Sequence, residues 1–114
     1  MAWFQDVLRH LAINDRQMVA ELHAPGCADT TSGLDARDLA LARVASLVAA
    51  DAPVETFRWN VGDALEAGVS PDEVVGVLLA VAPLVGFARV ATTAPKLALA
   101  LDYDIDTALE TLEP

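Results

Sequence analysis

Cysteine and histidine, the residues that most often carry chemistry in small proteins, are sparse in this sequence. Cys27 is the single cysteine, and His10 and His23 are the two histidines. A peroxidase-type thiol needs a resolving cysteine and a base that keeps it as thiolate, so we expect Cys27 to be an incidental thiol. Neither histidine belongs to a cluster with metal-ligand spacing, so both are predicted to lie on the surface, and we expect no metal site.

Two arginines stand out because they interrupt apolar stretches. Arg43 lies in an otherwise almost uncharged helical segment, and Arg89 is the one charge between Glu73 and Lys96. A guanidinium group near a core must find an anion. Either arginine could hold a substrate carboxylate in a bidentate fork, or form a structural ion pair with one of the 17 acidic side chains, which we favour. Asp38 offers a similar choice between a catalytic base and an acidic residue in the first turn of a helix.

Asn60 is placed at the edge of an apolar helical stripe formed by Phe57, Val61 and Ala64. An amide can orient a ligand carbonyl, but it cannot exchange protons near pH 7 as histidine does. General acid–base catalysis at this position is therefore not expected. Contact with a ligand and a simple hydrogen bond at the boundary of the core both stay open.

Three aromatic residues are candidates for contacts between subunits. Trp59 is predicted to project from the polar face of its helix, opposite the apolar stripe, and Trp3 with Phe4 forms a second apolar patch. A large aromatic side chain on a polar face is typical of an interface. The alternative is a lone aromatic that lies flat on the surface of its own subunit.

Helical spacing and capping signals run along the chain, and no convincing strand pattern appears, so we predict an all-α bundle of about six helices. Ser70 opens a capping box with Pro71 at the first helical position, and Gly68 and Gly86 are predicted to end helices. Asn14 is expected to cap the second helix, and Asp104 is expected to cap a short last helix. Pro95 is expected to bend or split its helix. We divide the chain into an N-terminal helical extension and linker (1–33), a helical domain (34–101), and a short C-terminal helix with a tail (102–114).

Composition and charge limit the partners of the protein. The chain has 114 residues, is 54% hydrophobic and has a mean hydropathy of +0.40, which is more apolar surface than so small a domain can bury, so we expect a homo-oligomer. A net charge of −10 without a basic cluster argues against nucleic acid and membrane surfaces. The N-terminus lacks a secretory pattern and there is one cysteine, so we expect a cytoplasmic protein.

Three segments, 34–45, 64–74 and 79–86, carry a family resemblance. The first segment is typical of the first helix of a domain. The second is typical of a helix end, a Gly-Val pair, an acidic N-cap and the start of a further helix. The third is typical of a helix that ends at a glycine. In order and spacing the chain resembles the carboxymuconolactone decarboxylase family over residues 34–101. The resemblance implies an all-helical, alkylhydroperoxidase D-like fold that assembles as a dimer, trimer or hexamer.

The resemblance also implies two kinds of activity, decarboxylation of a muconolactone acid and, in a redox branch, reduction of peroxides. The redox branch has a Cys-x-x-Cys pair and a histidine on the helix that here spans Val54 to Ala67, where this chain has no cysteine. The decarboxylase-like members have a histidine where Asn60 stands here. The chain therefore departs from the residue pattern of both branches.

We expect a carboxymuconolactone decarboxylase-like protein that binds or transforms a small carboxylated molecule in a helix-lined pocket, with Arg43 or Arg89 holding the acid and Asn60 nearby. If it is an enzyme, it is a lyase of this type rather than a thiol peroxidase, and no cofactor is expected. The alternative is a non-catalytic oligomeric scaffold or small-molecule-binding protein. A thiol peroxidase ranks third because Cys27 has no partner cysteine.

Overall fold

The computed structural model describes residues 3–24 and 31–111 of the chain. Seven α-helices have both ends within these ranges, against the expected number of about six: α1 (Trp3–Ala12), α2 (Arg16–Leu22), α3 (Ala36–Ala50), α4 (Val54–Glu66), α5 (Pro71–Val85), α6 (Phe87–Ala100) and α7 (Ile105–Thr111). The described ranges contain no strand, so the all-α class is confirmed. No helix in them is both long and apolar enough to cross a membrane.

The chain divides into two compact units, Met1–Asp35 and Ala36–Pro114. In the first unit, α1 and α2 form a helical hairpin. Its turn contains Asn14 in the left-handed region, at φ 55, and the side chain of Asp15 caps α2 by accepting a hydrogen bond from the Met18 N–H at 3.0 Å. The cap therefore stands one residue later than Asn14, the cap that the sequence suggested, because Asn14 takes the left-handed turn position that asparagine tolerates.

The second unit is built around four helices, α3 to α6, which all contact one another. Each contributes residues at helical spacing to one core: Ala40, Val44 and Val48 from α3, Phe57, Val61 and Ala64 from α4, Val74 and Leu78 from α5, and Leu97 from α6. Most of these side chains are small or β-branched, which lets the helices approach closely. The apolar stripe predicted on α4 is confirmed, since its three residues are fully buried.

The predicted helix boundaries of the second unit are confirmed where local signals mark them. The Glu73 N–H donates to Ser70 Oγ and the Ser70 N–H donates to Glu73 Oε1, both at 3.1 Å, which completes the capping box. Gly68 and Gly86 have φ values of 91 and 90, in the left-handed region that favours glycine, and they follow α4 and α5. Pro95 lies inside α6 without splitting it.

Candidate functional site

Asn60 lies on α4, half-buried, beside the buried stripe, as the sequence predicted. Its Nδ2 donates a hydrogen bond to the main-chain oxygen of Thr56 at 2.9 Å, one turn earlier on the same helix. This is the local side-chain-to-backbone bond that polar residues often make within a helix. The structure thus engages the Asn60 amide in the boundary hydrogen bond that was one of the two alternatives.

Arg89 lies near the start of α6 and reaches the end of α3. Its Nη1 donates to the main-chain oxygens of Val48 and Ala49, at 3.3 and 2.8 Å. The last carbonyl groups of a helix have no partner within that helix and carry partial negative charge, so a cation there is favourable. Arg89 therefore caps α3 from outside, through main-chain oxygens.

Lys96, two turns further along α6, reinforces the same helix end. Its Nζ donates to the main-chain oxygen of Ala52 at 2.9 Å and to Asp51 Oδ1 at 3.0 Å. The hydrogen bond and the charge of Lys96 hold the pKa of the Asp51 carboxyl below its ordinary value, and the charge of Arg89 adds to this effect. The basic residues of α6 thus bind oxygen atoms at the junction between α3 and α4.

The other candidates from the sequence are spread over the molecule. Arg43 is partly exposed on α3, and Asp38 is exposed in the first turn of that helix, where an acidic residue suits the helix dipole. In the first unit, the ring Nδ1 of His10 and of His23 each donates to a main-chain oxygen four residues earlier, at 2.8 and 2.9 Å. Trp3, Phe4 and Trp59 are exposed, as a contact residue must be, and Cys27 lies outside the described residues.

Two cavities in the second unit adjoin one another around Tyr103, and neither is lined by Arg43, Asn60 or Arg89. The α6–α7 cavity has a volume of about 470 Å³ and is lined by Arg58, Pro95, Ala98, Leu99, Asp102, Tyr103, Asp104, Ile105, Asp106 and Leu109. The α5–α6 cavity has a volume of about 520 Å³ and is lined by Pro71, Asp72, Val75, Leu78, Ala94, Leu97, Ala98, Leu101, Tyr103 and Ile105. Both volumes fall in the range of small-molecule sites, about 300 to 1,000 Å³.

The charges of the α6–α7 cavity come mainly from a run of alternating aspartates. Asp102, Asp104 and Asp106 line it together with one basic residue, Arg58. Asp104 also caps α7, as predicted: Oδ1 accepts the Thr107 N–H at 3.0 Å and Oδ2 accepts the Thr107 hydroxyl at 2.7 Å. These hydrogen bonds hold the pKa of Asp104 below its ordinary value.

Sequence reasoning missed Tyr103 and its cavities. The available signal was the stretch Asp102–Asp106, in which carboxylates alternate with an aromatic and an aliphatic residue directly after an apolar helix. Tyr103 is 56% exposed, so its ring is accessible from the cavities that it lines. An aromatic ring beside several carboxylates is a surface that suits an organic cation.

A family model supplies the decisive comparison. The model described as "Carboxymuconolactone decarboxylase family" matches residues 17–99. The chain belongs to the carboxymuconolactone decarboxylase family. The match includes all of α3 to α5 and nearly all of α2 and α6, and it leaves α1, Tyr103 and α7 outside. Neither the curated proteins nor the solved structures contain a match to this chain.

Proposed function

We propose that this member of the carboxymuconolactone decarboxylase family binds a small molecule in the cavities around Tyr103, and that it works as a homo-oligomer. The observation that carries the proposal is the pair of adjoining cavities, of about 470 and 520 Å³, which share Tyr103, Ala98 and Ile105. Apolar walls with a few polar groups are typical of ligand sites.

Helix α4, which contains Asn60, supports binding rather than catalysis. At the position where the resemblance implies a histidine for the decarboxylase-like members, Asn60 offers no proton that exchanges near pH 7. Its amide donates to the Thr56 carbonyl at 2.9 Å, within its own helix. The thiol route lacks a second cysteine, since Cys27 is the single one in the chain.

The charges of the α6–α7 cavity support a neutral or cationic ligand. Three aspartates and one arginine line it, in a chain whose net charge is −10. Arg58 is further shared with Glu55, whose Oε1 lies 3.7 Å from Arg58 Nε. A site with excess negative charge concentrates cations and repels carboxylates. The proposed ligand is thus a small molecule with an apolar body and an uncharged or amine head.

Transformation of a small carboxylated molecule is the second candidate. The observation that favours it is Arg58, the basic side chain at the α6–α7 cavity, because a guanidinium group binds a carboxylate with two parallel hydrogen bonds. Arg43 and Arg89 do not line either cavity around Tyr103. This candidate therefore depends on a residue other than the two arginines that the sequence suggested.

A thermal-shift experiment with three probes of similar size separates these candidates. Benzylamine, benzyl alcohol and benzoate share one ring and differ in the charge of the head group. A ligand at ten times its dissociation constant stabilises the folded state by about 1.4 kcal/mol, or roughly 5 °C for a domain of this size. We expect a shift with benzylamine, a smaller one with the alcohol and none with benzoate.

The matched variants identify the site. Asp102→Asn with Asp106→Asn removes two carboxylates from the cavity and is expected to abolish the preference for the amine, while Asp63→Asn, on the exposed side of α4, is expected to preserve it. Stabilisation by benzoate alone would support the second candidate. No shift with any of the three probes would contradict small-molecule binding in these cavities.

Assembly of copies is supported by apolar side chains that the second unit leaves exposed. Leu79, Leu84 and Phe87, which we call the α5–α6 patch, are each more than half exposed, and Leu84 reaches 87%. No charged residue occurs between Val74 and Ala88. Exposed apolar surface of this kind marks interaction sites, and copies of an acidic chain repel one another least where charge is absent. Light scattering that finds a stable 12.0 kDa monomer at micromolar concentration would contradict the oligomer.

A further inference from the structure

The hairpin of α1 and α2 lacks a core of its own. Neither helix contains a buried residue. The helices are 10 and 7 residues long, and isolated helices shorter than about 12 to 15 residues are marginal in water. Their stability must therefore come from packing against another surface.

Helix α1 has two apolar rows, and one of them faces α2 across an open cleft. Trp3, Val7 and Leu11 line a cleft of about 220 Å³ together with Met18 and Leu22 of α2. The second row, Phe4 and Leu8, does not line this cleft, and these two side chains are 57% and 59% exposed. Residues four apart lie one above the other on a helix. Phe4 and Leu8 thus form a continuous apolar row that the hairpin itself leaves uncovered.

The charge of the hairpin favours a second copy of the chain as the partner that covers the Phe4–Leu8 row. Among residues 3–24 there are three acidic and two basic side chains, so the hairpin carries −1 of the total −10. Among residues 36–111 there are eleven acidic and five basic side chains, so this part carries −6. Two hairpins can therefore meet with little repulsion, whereas most of the remaining surface repels a copy of the same chain.

The apolar area of the hairpin is sufficient for such a contact. A buried aromatic side chain covers about 150 to 250 Å², so the exposed parts of Trp3 and Phe4 offer about 240 Å². Leu8, Leu11 and Leu22 add roughly 150 Å² if a whole leucine counts for about 100 Å². Two copies then supply about 800 Å² of apolar surface, the apolar share of an interface of about 1,300 Å².

We infer that the α1–α2 hairpin is a self-association surface, on which the hairpin of a second copy packs about a two-fold axis to form a four-helix bundle. The inference rests on the proposed homo-oligomer and names one of its contacts. The family model begins at residue 17, so it covers nearly all of α2 and leaves α1 outside.

Charge insertion tests the contact. Leu8→Glu places a carboxylate in the uncovered row, and a two-fold contact joins copies in pairs, so its loss is expected to halve the molar mass in light scattering. Ala20→Glu is the matched control, because it adds the same charge to an exposed position of α2 outside the cleft, and it is expected to leave the mass unchanged. Circular dichroism shows whether both variants retain their helices.

The outcomes separate this inference from the proposed function. A wild-type monomer contradicts the proposed oligomer itself. A wild-type oligomer whose mass Leu8→Glu leaves unchanged overturns the hairpin contact and leaves the oligomer standing. An equal loss of mass in Leu8→Glu and Ala20→Glu also overturns it, because the effect would not depend on the apolar row.

Disulfide trapping identifies which surface covers the Phe4–Leu8 row. In a Cys27→Ser background, Leu8→Cys provides the single thiol of the chain. The uncovered row is one helical turn long, so a two-fold axis that pairs two such rows passes close to position 8, and mild oxidation is expected to give a covalent dimer. Ala20→Cys in the same background is expected to remain monomeric under denaturing conditions. If Leu8→Glu lowers the mass while Leu8→Cys gives no covalent dimer, another surface covers the row and the inference fails.

Discussion

Replacement of Arg89 by methionine separates a structural role of this residue from a ligand-binding role. Arg89 Nη1 donates to the Val48 and Ala49 carbonyl oxygens, at 3.3 and 2.8 Å, at the end of α3. Methionine keeps an unbranched stem of similar length and removes both the charge and the donors. The carbonyl groups of α3 would then depend on water, because they belong to the last turn of the helix.

The expected loss of stability follows from the bond geometry. A hydrogen bond from a charged donor contributes about 1.5 to 3 kcal/mol, and a cation at a helix C-terminus contributes about 0.3 to 1 kcal/mol. Arg89 is partly exposed and one of its two contacts is long, so water replaces part of the interaction. We expect Arg89→Met to lower the free energy of unfolding by about 1 to 2 kcal/mol, and the Tm by roughly 5 to 10 °C.

Urea and thermal unfolding followed by circular dichroism measure this change. Arg58→Met is the matched control: Arg58 faces Glu55 at 3.7 Å on the surface, and such a pair contributes less than about 1 kcal/mol. Ligand binding should respond in the opposite way: Arg58→Met should change it, because Arg58 lines the α6–α7 cavity, and Arg89→Met should leave it unchanged. A folded Arg89→Met variant with unchanged stability would refute the capping role.

Three further substitutions test other parts of the structure. Thr93 is fully buried and its hydroxyl has no hydrogen-bond partner among the described residues, so Thr93→Val, which keeps the shape, should raise the free energy of unfolding by about 1 kcal/mol; a loss would indicate a bonded hydroxyl. The pKa of Asp51 is lowered by Lys96, so its contribution to stability is present above about pH 4 and is lost as the pH falls through the folded-state pKa. Asp51→Asn should therefore lower the Tm more at pH 7 than at pH 2.5, and an equal difference at both pH values would contradict this. Leu84→Glu in the α5–α6 patch should lower the molar mass in light scattering while the helix content is retained, and an unchanged mass would exclude this patch as a contact.

The helices of the second unit could be predicted because their boundaries are set by local chemistry. The Ser70 capping box, the two positive-φ glycines and the Asp104 cap each act within one helical turn, so the sequence contains the whole signal. The cap of α2 was placed one residue early, at Asn14 instead of Asp15. Asparagine and aspartate both cap helices and both tolerate the left-handed region, so their order in the turn decides which role each takes.

The candidate site was less predictable because it depends on contacts between distant residues. The sequence showed that the Arg89 guanidinium needs an acceptor, but the acceptors are carbonyl groups 40 and 41 residues away, at the end of α3. Nothing local reveals that α6 crosses this end. The cavities around Tyr103 likewise require α6, α7 and their neighbours to be in place, and Asn60, where the family resemblance had placed the site, does not line them.

The most direct test of the proposed ligand site is a chemical-shift titration of the ¹⁵N-labelled protein with benzylamine. We expect the backbone amides of Asp102, Tyr103 and Asp106 to shift in a saturable manner, with Leu99 and Leu109 following, while those of Thr56 and Asn60 on α4 stay in place. Saturable shifts centred on Asn60, or no saturable shift at all, would contradict binding in the cavities around Tyr103.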